Sequence, residues 1–210
     1  MIVMTPVKPL LGVFVICAAT LSNQCSTASK SGKETPPLLQ NEQSPKKDAN
    51  VVDVDDYSVY SVVLNDEEYV DAKTSQVVIR NHTLSGFTGG PIQNSSLSRE
   101  TIDEYESKNR STTPLKAELN LKVRYTLISD EEVDKLFEDH VAGWESFYSK
   151  FPGSKGLMHV SRVGYNSDRS QALVQVGIGC GDTCGHTQVI FLRKDNNQWL
   201  VEAKFLTSIS

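Results

Sequence analysis

The chain has 210 residues, 26 acidic side chains against 21 basic ones, and a formal net charge of −5. The two signs are interspersed without long blocks, which argues against nucleic acid or an anionic membrane surface as the main partner. Beyond an N-terminal export segment and a linker, about 160 residues remain, enough for one domain that buries roughly 70% of its unfolded surface without depending on disulfides.

Residues 10–20 form an apolar run behind a short N-terminus that carries Lys8, and small polar residues follow. Such a run is too short to span a bilayer and suits the apolar region of a signal peptide. Two processing routes fit. Ser26 and Ala28 offer small residues for cleavage after Ala28, while Cys25 is a candidate for lipidation. Ser22 and Gln24 depart from the aliphatic and small residues that a lipidation motif wants, but the Ser-, Lys- and Pro-rich stretch behind Cys25 suits a tether. Residues 1–28 are therefore read as a signal peptide, or as a lipoprotein signal ending before Cys25. Residues 29–50 are read as a disordered linker and 51–210 as a single α+β domain. The expected location is extracytoplasmic: secreted, periplasmic, or anchored to the envelope through a lipidated N-terminus.

Order is expected from Val51. Asp55 and Asp56 ahead of Tyr57, Tyr60, Val63 and Leu64 predict an N-capped helix, although the same residues nearly alternate as a strand. Residues 76–80 predict a short strand and 98–109 a helix with Ile102 and Tyr105 inward. Strict apolar–polar alternation over residues 115–127 predicts one long strand with a buried and a wet face. Ser129 and Glu132 then form a capping box, with Ile128 and Val133 as hydrophobic staple. They predict a helix of roughly 20 residues that Pro152-Gly153 ends. Strands at 157–165, 171–178, 187–193 and 199–209 complete an antiparallel β-meander packed against that long helix.

Cys180 and Cys184 lie in a glycine-punctuated join between two apolar runs. Residues four apart in an extended chain are roughly 13 Å from each other, so a disulfide requires a sharp bend, which Gly181 and Gly185 allow. A structural disulfide fits an exported protein best. A redox pair would need a helix N-terminus or a nearby cation to activate a thiol, and Asp182 works the other way. Zinc would need Cys180, Cys184, His186 and a fourth ligand such as His159.

The remaining histidines are His82 and His140, the latter read as a helix-flank residue. Ser161, His159 and Asp168 make no supported triad, because the first two are neighbours on one strand face and no strand-to-helix elbow exposes the serine. Asp130, Glu131, Glu132 and Asp134 suit the first turn of a helix, where the dipole favours negative charge. The stripe of Trp144, Phe147, Tyr148 and Phe151 is read as core packing in preference to a ligand groove. No catalytic, cofactor-binding or metal residues are assigned.

The strings Trp144-Glu145-Ser146-Phe147-Tyr148, Phe151 to Gly156, Ser161 to Asn166, Gln171 to Val174, and Cys180-Gly181 to Cys184-Gly185 resemble the C-terminal pattern of a family of uncharacterised bacterial secreted or lipoprotein-like proteins. That resemblance implies an exported protein and no particular activity. The functional expectation is a non-enzymatic binding or envelope-associated protein, and the rival is an extracytoplasmic enzyme, thiol-dependent or hydrolytic.

Overall fold

Asp53 turns the chain into its first helix by accepting a hydrogen bond from the backbone N–H of Asp55, and α1 (Val54–Leu64) buries Tyr57, Tyr60, Val63 and Leu64 as expected. The computed structural model describes residues 51–86, 92, 94–139 and 141–210. The chain divides into two units, Met1–Ser44 and Pro45–Ser210, and every described residue belongs to the second. Residues 1–50, which were read as export segment and linker and include Cys25, lie outside the described residues, as does His140. No helix among the described residues is long and apolar enough to cross a membrane.

Strand β1 (Gln76–Arg80) and helix α2 (Arg99–Lys108) fall where they were expected, α2 being capped by Ser98 with Tyr105 fully buried. The long strand does not. Only β2 (Arg124–Ile128) is a strand, and residues 113–123 are irregular. The apolar alternation still buries Leu115 and Leu119. The five-residue β1, however, offers no ladder beyond Arg124, so the preceding backbone finds other partners. The N–H of Lys116 bonds the Tyr57 hydroxyl, that of Asn120 bonds Ser61, and that of Lys122 bonds Asn65. Helix α1 and its C-cap thus stand in for a neighbouring strand.

The long helix is two helices. Ser129 and Glu132 form the expected capping box and start α3 (Asp130–Leu136), with Ile128 and Val133 buried together. The helix then stops, and α4 (Gly143–Lys150) begins after an open turn in which Asp139 accepts from the N–H groups of Val141 and Ala142. The break lets the Phe137 ring fold back over Gly143, where a Cβ would come within 2.5 Å of it. Phe137 meets Trp144 edge-on at 4.9 Å.

Strands β3 (Leu157–Val160), β4 (Gly164–Tyr165), β5 (Gln171–Gly181), β6 (Cys184–Asp195) and β7 (Gln198–Ile209) follow. The sheet order is β2-β1-β3-β5-β6-β7, with β4 on β5. The meander β5-β6-β7 is antiparallel, but β1 runs parallel to both β2 and β3, so the sheet is mixed. Asn196 and Asn197, both at positive φ, make the tight turn between β6 and β7. Because side chains alternate along each strand, the sheet has two distinct faces. Val77, Ile79, Met158, Val176 and Ile190 pack with α1 on one face. The opposite face carries Val78 and Leu157 beneath α3 and α4, and Leu173, Val189 and Phe191 beneath α2.

Candidate ligand cleft

Between those two helical covers the second face is partly bare. Alternation puts Arg80 after Val78 on β1 and His159 after Leu157 on β3, while Gly177 and Gly179 of β5 pair with His159 and Leu157. The result is a cleft of about 370 Å³ lined by Arg80, Val133, Phe137, Trp144, Leu157, His159 and Gly179. Its wall is apolar and aromatic, and its polar groups gather at one end.

The glycines make the room. A Cβ on Gly177 would lie 1.9 Å from Nε2 of His159, so the imidazole lies flat where any other side chain would stand. A Cβ on Gly179 would touch Trp144 at 3.3 Å. The disulfide holds the far edge. Cys180 and Cys184 are joined with Cα atoms 5.0 Å apart across the turn between β5 and β6, and the Tyr148 hydroxyl from α4 donates to the Cys180 carbonyl at 2.9 Å.

Burial, reinforced by the positive charge of Arg80, pushes the His159 imidazole down to about 4, so it is neutral near pH 7. Among the described residues no side-chain hydrogen bond engages it. Arg80 uses Nη1 to pair with Asp130 at the start of α3, and Nε2 of His82 lies 3.5 Å from the other oxygen of that carboxylate. Asp130 therefore orients the guanidinium, whose Nε and Nη2 make no hydrogen bond with the described residues.

The other polar groups are committed to the fold. Ser161 is fully buried; its Oγ accepts from the N–H of Gln175 and donates to the carbonyl of Arg162. Tyr60 donates to the Ser161 carbonyl, and Asn109 holds both the N–H and the carbonyl of Arg162, so this network ties α1 and α2 to the chain leaving β3. Asp168 sits in an exposed turn, bonded to the N–H of Ser170, and never approaches Ser161. Asp56 is buried too. Burial pushes its carboxyl up, against the charges of Lys108 and Arg162 and the hydrogen bond from Tyr165.

His186 faces away from His159. It pairs with Ile178, whereas His159 pairs with Gly177, and successive residues of β5 point to opposite faces. Its Nε2 meets Glu68 at 2.9 Å, and Gln188 and Lys204 bond the other oxygen of Glu68. This charged group pins residues 66–69 to β6 and β7. With both cysteines oxidised and the two histidines on opposite faces, the zinc set is not assembled, and the described residues hold no cluster of three or more metal-ligand side chains. A hollow of about 550 Å³ beside α2 includes Arg169, but that guanidinium is already paired with Asp53 and Asp55 and lies over the Tyr165 ring.

The aromatic stripe serves two purposes. Phe147 and Phe151 are buried as expected, while Trp144 is a cleft wall. The site had a sequence signal of its own: an arginine ending an apolar strand, and two glycines inside the β5 run that had read only as turn punctuation. Compared with known proteins, the chain matches no family model, no curated sequence and no solved structure at a significant level.

Proposed function

We propose that this is an exported binding protein, not an enzyme, whose ligand seat is the cleft between Arg80, His159 and Trp144. One observation carries the reading. A preformed apolar cleft ends in an imidazole that no side chain among the described residues hydrogen-bonds and in a half-engaged guanidinium, while Ser161, Asp168 and Cys184 are taken up by the fold. An extracytoplasmic location is supported by the Cys180–Cys184 disulfide, by the signal-like run at residues 10–20 and by the resemblance of the C-terminal strings to secreted and lipoprotein-like proteins. Nucleic acid is not the partner we propose, given the acidic and evenly mixed charge.

Two experiments test this. A Trp199→Phe variant leaves Trp144 as the lone tryptophan, and a small-molecule panel should contain compounds that change its emission saturably; a panel silent to millimolar concentration contradicts the reading. Intact mass of protein from the cell envelope or medium should show cleavage after Ala28 or an acylated Cys25. Recovery of the unprocessed chain from the cytosol would contradict the compartment.

A further inference from the structure

We infer that the cleft selects small carboxylates with an apolar body, such as an aryl or branched-chain acid, and takes them carboxylate-first toward Arg80. This rests on the binding role proposed above and goes on to name the chemistry that is recognised.

The argument is one of shape and charge. Val133, Phe137 and Leu157 give the body of a ligand nothing to hydrogen-bond, Trp144 adds an indole ring whose one polar group is a single N–H donor, and about 370 Å³ suits a single ring or a short branched chain. At the polar end, the Nε and Nη2 edge of Arg80 is the guanidinium face left open after Nη1 has taken Asp130. A guanidinium edge presents two parallel N–H donors at the spacing of carboxylate oxygens. Neutral His159 beside it carries one ring N–H that can serve the same head group, in whichever tautomer places it there. The charge balance sets the valence. Among the described residues Arg80 is the one cation lining this cleft and Asp130 already offsets part of it, so a monoanion is matched and a phosphate dianion is not. Asp130, 55% exposed and held by Nη1, then draws on the same positive charge as a ligand on the other edge of the guanidinium.

The test is calorimetric titration with phenylacetate, indole-3-acetate and isovalerate against their neutral primary amides, with Trp144 emission recorded in the Trp199→Phe background. At least one acid should bind roughly tenfold or more tighter than its amide, the scale of a hydrogen bond to a charged group. Arg80→Met should abolish that preference. Because Arg80→Met could disturb β1, Asp130→Asn supplies an independent arm: it removes the offsetting carboxylate from an exposed position and should tighten acid binding roughly twofold to fivefold without changing amide binding. Acid and amide binding equally, or no gain in Asp130→Asn, overturns the carboxylate assignment while leaving a cleft that binds ligands. Silence of Trp144 toward these compounds overturns it as well, and silence toward the wider panel removes the binding role itself.

Discussion

His159 should make the fold lose stability in mild acid, and the size of that loss follows from where the ring sits. In the unfolded chain the imidazole titrates near its ordinary value of about 6.5. In the cleft, burial and Arg80 hold it down to about 4. The folded state thus refuses a proton that the unfolded state accepts, so the stabilisation is complete above the unfolded value and is lost as pH falls toward the folded one. The interval is worth about 3 kcal/mol in full, and about 2 kcal/mol of it disappears between about pH 7.5 and about pH 5. Asp56, raised by burial, works with the opposite sign, but it is common to the wild type and a His159→Gln variant and cancels in their difference. Urea unfolding of both proteins at the two pH values is the assay. The wild type should lose about 2 kcal/mol more than His159→Gln over that interval. Equal losses would show that the imidazole is solvated and that the cleft is not the environment described here.

Gly177→Ala should cost roughly 1–3 kcal/mol in chemical denaturation, because its Cβ would stand 1.9 Å from His159 Nε2 and the ring must leave. The excess acid sensitivity of the wild type should vanish with it. Replacing Cys180 and Cys184 together by serine should lower stability by about 2 kcal/mol, the worth of so short a closed loop, and leave a cooperative thermal transition; complete unfolding would mean that the bond does more than hold the β5–β6 turn. Phe147→Ala should cost roughly 3–5 kcal/mol, since the ring is fully buried among Phe137, Trp144, Tyr148 and Phe151; a loss below about 1 kcal/mol in the same denaturation assay would show that α4 is not packed as described.

Elements with local signals were legible in the sequence. The Asp55-Asp56 pair announced the first helix, although its cap is Asp53 two residues earlier, and the start at Ser98 and the Ser129–Glu132 box announced two more, because a cap is a contact between residues only a few positions apart. The alternation of β5 to β7 and the Asn196-Asn197 turn do the same for the meander. The failures are non-local. The alternation over residues 115–127 records which side chains are buried, but a strand also needs a partner, and β1 ends too soon to supply one. The period of the long helix runs straight through Asp139 and Gly143, where an Asp side chain captures the backbone and a glycine admits the Phe137 ring. The parallel pairing that brings Arg80 beside His159 joins segments far apart in the chain, and neither residue carries a motif that names the other. The individual signals, Arg80 at the end of an apolar strand and two glycines inside β5, stood in plain view, but their coming together at one site did not.

The cleft at Arg80, His159 and Trp144 is best tested by locating a bound ligand directly. An amide and indole NMR titration of the isotopically labelled protein with phenylacetate, indole-3-acetate and isovalerate does this without a mutation. Saturable shifts should concentrate at the indole N–H of Trp144 and at the backbone of Arg80, His159, Gly177 and Gly179, with the indole of Trp199, which packs beside Tyr165 on the α1 face, unmoved. Shifts that gather instead around Arg169 and α2, or that never saturate at any residue of the cleft, would contradict the account.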